Sequence, residues 1–243
     1  MTKSITLAAF SALILSAAVA QAAPVTVTTG AGYVKMVDAL TALYQKETGV
    51  VVGKAFGGNI GQMLAQVREG GAVNVVISDR DTLKRFDKNL AAESASLGVT
   101  PLVMVWRKGL TLNTPADIAG ESVKSVASPD PKAAIYGRAA NEWLGANGLT
   151  EKLGSRLNTV STVPQVFSYV ATGNMDAGFV NLTAWRSGQD KVGGHFELTG
   201  KGAEIHMVVR PVAGFENDPD VRAFTAFLTS GKAKAVLNKF GIR

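Results

Sequence analysis

Cysteine is absent from the 243 residues, which excludes a disulfide framework, thiolate metal sites and a cysteine nucleophile together. Only two histidines occur, His195 and His206, and neither sits in a His-x-x-Glu pattern, so a transition-metal centre lacks its usual ligands. There is no Gly-x-Ser-x-Gly elbow, no Gly-x-x-x-x-Gly-Lys-Ser/Thr phosphate loop and no serine in a recognisable setting with histidine and acid. Past the first two dozen residues no run is long and apolar enough to cross a bilayer. The chain carries a formal charge of +6, but its Lys and Arg are scattered and no basic run interleaved with aromatics marks a nucleic-acid face. These absences point to a binding function, with no catalytic residues, cofactor or metal ligand set and no nucleic-acid partner.

The first segment has the form of a secretory signal: Lys3, an apolar stretch from Ile5 to Val19, then Ala18-Val19-Ala20 or Ala20-Gln21-Ala22 as a small-residue cleavage site. An apolar stretch of roughly 15 residues is shorter than the ~20 a spanning helix needs. Residues 1–23 are therefore expected to be removed on export, leaving a periplasmic chain of roughly 220 residues, enough for one large or two small domains.

Four turns stand out: Thr28-Thr29-Gly30-Ala31-Gly32, Gly57-Gly58-Asn59-Ile60-Gly61-Gln62, Ser128-Pro129-Asp130-Pro131-Lys132-Ala133-Ala134 and Ser161-Thr162-Val163-Pro164-Gln165. Each precedes a helical pattern, and the first turn of a helix leaves backbone N–H groups free to bind an anion. Whether the four meet at one cleft is not written in the sequence.

Val25-Thr-Val-Thr-Thr reads as a strand, and Tyr33, Val34, Val37, Leu40, Leu43 and Tyr44 follow at helical spacing until Gly49. A strand from Val50 to Phe56, a helix from Ile60 to Glu69 and an apolar strand from Val73 to Ser78 complete a β-α-β-α-β unit, the signature of a parallel sheet covered on both faces. Two long strands, Pro101–Trp106 and Ala203–Arg210, flank a second block. That block has strands near 123–127 and 177–181 and helices near 133–144 and 164–172. Asp218-Pro219 opens a closing helix, and Lys232–Lys239 forms another. The expected organisation is a lobe from 24–100 plus 206–243, with a second lobe, 101–205, inserted in it. Such a pair can close on a ligand.

The order and spacing of Val25-Thr-Val27, Tyr44-Gln-Lys-Glu-Thr-Gly-Val50, Val75-Val-Ile-Ser-Asp79, Asp130-Pro131 with Ile135-Tyr136, and Asp176-Ala-Gly-Phe-Val180 resemble the periplasmic solute-binding proteins of ABC importers, in their molybdate-binding branch. The resemblance implies an α/β, type II two-lobed periplasmic binding protein fold, each lobe a sheet flanked by helices, with the ligand cleft between lobes. It implies capture of a tetrahedral oxyanion, molybdate or tungstate first, by hydroxyls and backbone N–H groups, with molybdenum present only as the bound oxyanion. A monomer that delivers its ligand to an inner-membrane ABC permease is implied as well. The alternatives are sulfate or another small anionic metabolite, or a ligand-free interaction domain on the same fold.

Carried over by position, the resemblance marks Gly30, Gly32 and Tyr33 in the first turn, where Gly32 replaces the family's serine and the hydroxyl comes from Thr28 or Thr29 or is absent. It marks Asn59 and Ile60 in the second, Ala133 in the third, Val163 in the fourth, and Asn181 where the family has a tyrosine. Asn59 with Gln62 also suits a reciprocal helix cap, and Asn181 ends a strand where open α/β sheets place ligands. Thr183 is expected to cap a helix beginning at Ala184 and Trp185. Asp79 is expected to cap locally or pair with Arg80, because facing the cleft it would repel an anion. Lys132, with Arg138 further along the same helix, is positioned to steer one.

Overall fold

The computed structural model describes residues 23–93 and 95–243; the expected signal segment lies outside them, apart from Ala23. From the amino end come β1 (Val25–Thr28), a single 3-10 turn (Ala31–Tyr33), α1 (Val34–Thr48), β2 (Val52–Lys54), α2 (Ile60–Arg68), β3 (Val75–Asp79) and α3 (Arg80–Leu83). Then follow β4 (Ala95–Trp106), β5 (Val126–Pro129), α4 (Ile135–Ala146), α5 (Thr150–Leu153), β6 (Leu157–Val160), α6 (Val163–Ala171), β7 (Ala177–Asn181) and α7 (Leu182–Arg186). The chain finishes with β8 (Gly194–Glu197), β9 (Glu204–Pro211), α8 (Pro219–Phe227) and α9 (Gly231–Lys239).

The strands run in the order β2-β1-β3-β9-β4-β7-β5-β6, with β8 added to β4. β1 pairs in parallel with β2 and β3, and β5 pairs in parallel with β6 and β7. β9 and β4 run antiparallel to their neighbours and join the two parallel groups. β4 serves both halves: Ala95 to Pro101 pair with β9, and Leu102 to Trp106 pair with β7. Its first stretch carries a register shift between Ser96 and Gly98.

Helices on both faces explain the apolar strands, since every residue of β3 and β7 is buried. α1 buries Met36, Val37, Leu40, Thr41 and Tyr44, which keeps Val37, Leu40 and Tyr44 of the expected stripe, leaves Val34 and Leu43 half-buried and adds Met36 and Thr41, and it stops where Gly49 takes φ 76°. β6 and β8 had no counterpart in the sequence reading. β6 is a half-exposed four-residue edge strand, and β8 lies off the main strand path. The strand expected near 123–127 is displaced to Val126–Pro129.

The topology also aims the four turns. α1, α2, α4 and α6 follow the carboxyl ends of β1, β2, β5 and β6, the edge of a parallel sheet where helix N-termini gather.

Candidate functional site

All four turns line one cavity, formed by Gly30, Ala31, Gly32 and Tyr33, by Asn59 and Ile60, by Ala134, Ile135 and Tyr136, and by Thr162 and Val163. The centre of a water-sized sphere moves through about 20 Å³ of it. Adding the sphere's own radius of about 1.4 Å gives a hole about 3 Å in radius, suited to a compact polyatomic ion.

Hydrogen bonding at each turn decides which donors are free. At α2, Asn59 and Gln62 form a reciprocal capping box: Gln62 N–H donates to Asn59 Oδ1 at 3.0 Å and Asn59 N–H donates to Gln62 Oε1 at 3.0 Å. Gly61 N–H donates to Ala133 O at 2.9 Å. Ile60 N–H is left without an acceptor among the described residues, as is the Asn59 side-chain Nδ2. α6 repeats the device, with Thr162 and Gln165 as the box and proline, which has no N–H, at 164. Only Val163 N–H is then left over.

The other two starts have no side-chain cap. In the first turn Ala31 N–H donates to Gly58 O and Tyr33 N–H to Gly30 O, both at 2.9 Å. Gly32 N–H is thus the open donor, and the expectation that Tyr33 also offers its backbone N–H is corrected. In the third turn Ala133 and Ala134 N–H groups both turn back to Asp130 O. Ile135, Tyr136 and Gly137 N–H have no acceptor among the described residues, and the first two, two and three residues beyond the expected Ala133, line the cavity, because the chain closes a tight turn on Asp130 before the helix begins.

Thr29 is fully buried and its Oγ1 has no partner among the described residues, an unspent hydroxyl next to Gly30 in the chain. Thr28 Oγ1 instead donates to Ala55 O at 2.6 Å. Asn181 departs from its expected role: Nδ2 donates to Gly32 O at 2.8 Å and Oδ1 accepts Ala184 N–H at 2.8 Å. It is buried and absent from the cavity wall, spending both polar atoms on tying the first turn to the far half of the sheet and capping α7. Thr183, expected as that cap, donates its hydroxyl to Phe240 O at 2.7 Å.

Tyr33 and Tyr136, both in the cavity wall, hydrogen-bond through their hydroxyls. Burial pushes both phenols well above their ordinary pKa, the neighbouring Asp79 charge adding to it, so both stay neutral in the working range. Asp79 caps α3 by accepting Thr82 N–H at 3.0 Å. It pairs with Arg138, not Arg80, at 2.6 Å from Nη2, in a buried contact between β3 and α4. Arg80 instead forks onto Glu93 at 2.9 Å. The pair neutralises the carboxylate that would oppose an anion and spends Arg138. Lys132 is exposed and outside the cavity wall.

The arrangement offers donors, neutral phenols and no carboxylate at the cavity wall, which is chemistry for holding a small acceptor-rich anion. A two-lobed α/β frame with such a hole between its halves defines the class of extracytoplasmic binding proteins that enclose a small solute. Residues 25–243 match the family model described as bacterial extracellular solute-binding protein, and the chain belongs to that family. Among its relatives are two molybdate-binding proteins named ModA. That of Azotobacter vinelandii is 28% identical, with 93% of this chain and 92% of the relative covered. That of Rhodobacter capsulatus is 27% identical, with 91% and 89% covered. The solved periplasmic molybdate-binding protein of Azotobacter vinelandii superposes with a TM-score of 0.79 at 24% identity, over 90% of this chain and 98% of that one, and so has the same fold. Among the described residues no helix is long and apolar enough to cross a membrane, and no cluster of three or more His, Asp and Glu could hold a metal ion.

Proposed function

We propose that the chain is the periplasmic receptor of an ABC importer for a tetrahedral oxyanion, molybdate or tungstate first, and that it carries out no catalysis. It acts as a monomer: the lobes 24–100 plus 206–243 and 101–205 close around the ion, and an inner-membrane permease receives it. The observation that carries this reading is the convergence of four helix starts, each with an unspent backbone N–H, on a hole about 3 Å in radius. A dianion buried without partners costs tens of kcal/mol in an idealised apolar medium, so many donors must share it. The donor set we assign is the N–H groups of Gly32, Ile60, Ile135, Tyr136 and Val163 and Asn59 Nδ2, with the Thr29 hydroxyl, buried outside the cavity wall, held beside Gly30. Gly30 and Ala133 shape the backbone, and Tyr33 and Asn181 hold it. A wall of mostly N–H donors with no carboxylate favours a fully ionised oxyanion over a ligand that must itself donate a proton. The relatives' names supply molybdate as the first candidate.

The test is thermal unfolding of the mature protein with molybdate, tungstate, sulfate and phosphate. Ligand at 100 times its Kd stabilises the native state by about 2.7 kcal/mol, a shift of several degrees. A rise with molybdate and tungstate alone is expected. A rise with sulfate or phosphate alone would reassign the ligand, and no rise with any of the four would overturn the oxyanion reading.

A further inference from the structure

A second chamber adjoins the first, and nothing in the oxyanion reading uses it. Its wall shares Gly32 and Val163 with the inner cavity and continues over Lys35, Pro164, Phe167 and Lys191. The empty volume is about 710 Å³ against about 300 Å³ for the inner cavity, more than one tetraoxoanion fills.

Its chemistry differs from that of the inner cavity as well. The two hydroxyls in its wall are spent, Thr183 on Phe240 O and Ser187 on Thr183 O. What remains is an apolar wall of Val163, Pro164, Phe167 and Ala184 with two ammonium groups and no carboxylate. Lys35 and Lys191 are exposed, and like most lysines of the chain neither has a salt-bridge partner among the described residues. The lysines come from opposite halves of the sheet: Lys35 from α1, which follows β1, and Lys191 from the turn before β8. Two like charges facing one cleft repel when it closes, and an anion between them reverses the sign of that contribution. An apolar concave wall with a few convergent charges is the usual form of a small-molecule site.

We propose that this outer chamber is a second binding site, for a small organic carboxylate with an apolar body. The carboxylate lies between Lys35 and Lys191, and the body lies against Phe167 and Pro164. The ligand touches both halves of the molecule, so it favours the closed form. Its binding and that of the inner anion then strengthen each other, by the same factor in both directions. The coupling, though not the site, rests on the reading of the inner cavity as an oxyanion site that closes.

The experiment is calorimetric titration of the full mature protein with benzoate and with isovalerate, benzylamine being the cationic control, first alone and then with the inner anion saturating. Binding of the two carboxylates but not of benzylamine is expected, severalfold tighter with the inner anion present. Lys35→Ala and Lys191→Ala are expected each to weaken carboxylate binding about tenfold, a loss larger than any change in the affinity for the inner anion measured without carboxylate. Carboxylate binding that ignores both substitutions, or no carboxylate binding by folded wild-type protein that still binds the inner anion, would overturn the site. Should no oxyanion bind, the carboxylate titration alone still tests the outer site, so the two readings fail separately.

Discussion

The four helix starts divide into two pairs that are built differently. At Asn59 and at Thr162 a capping box with a glutamine three residues on fixes the turn from within its own segment. At Gly30 and at Ala134 no side chain caps the helix, and the turn is held from across the cleft. Asn181 donates to Gly32 O, Gly61 donates to Ala133 O, and the Tyr33 and Tyr136 hydroxyls join. Of the proposed donors, the Ile60 and Val163 N–H groups and Asn59 Nδ2 thus belong to turns capped within their own segments, and the Gly32, Ile135 and Tyr136 N–H groups to turns without a side-chain cap. Under the closing proposed above, capture begins on the capped pair and the donors of the uncapped pair are completed as the halves meet.

That contrast can be broken most forcefully at Gly61. A Cβ there would lie 3.1 Å from Ala133 Cα and O and 3.2 Å from its Cβ, so Gly61→Val separates a capped start from its uncapped partner. Overpacking of this kind costs about 1–3 kcal/mol, and oxyanion affinity measured by titration should fall roughly 10- to 100-fold. Asn181→Ala removes both the bond to Gly32 O and the α7 cap. Affinity should fall about tenfold, with a stability loss of about 1 kcal/mol in urea unfolding.

A comparison of Asn59→Ala with Thr162→Ala sharpens the contrast within the capped pair. Both lose a cap, worth about 0.5–2 kcal/mol, and the 3.4 Å Thr162 bond belongs at the low end. Only Asn59 also brings a spare amide N–H to the cavity, so its substitution should cost several-fold in affinity and that of Thr162 about twofold or less.

The smallest effect is expected from alkali. The raised pKa values of Tyr33 and Tyr136 mean that the unfolded chain ionises first. Their contribution to stability is complete below the ordinary tyrosine value of about 10 and is lost as pH rises beyond it. Affinity and melting temperature should be flat through these groups between pH 6 and about 9. A transition in that interval that Tyr33→Phe abolishes would contradict the burial of the pair.

Local rules written in consecutive residues were readable in advance: the Asn59–Gln62 box, the stop at Gly49, the Asp218-Pro219 start and the alternating parallel strands all follow from short-range chemistry. What escaped the sequence depends on distant partners. Asn181 and Gly32 are 149 residues apart and Asp79 and Arg138 are 59 apart. No local pattern says that an asparagine at a strand end will spend its amide on a carbonyl across the cleft, or that Asp79 will prefer Arg138 to its neighbour Arg80. The shift from Ala133 to Ile135 and Tyr136 was hidden for a related reason, since Asp130 O takes two successive N–H groups and delays the helix. The four turns were legible from their own residues, and the family resemblance, which marked positions within them, could not say which amide in each remains unspent.

Because the assigned donors are mostly main-chain N–H groups, an alanine scan will pass over them, and Gly32, Ile60, Ile135, Tyr136 and Val163 can each change side chain while keeping the group that matters. Chemical synthesis or codon reassignment that replaces one amide with an ester at these positions deletes a single donor without altering any side chain. Recognition written in the main chain also leaves little trace in residue identity, so two receptors of this family can share a ligand while sharing few of the residues around it.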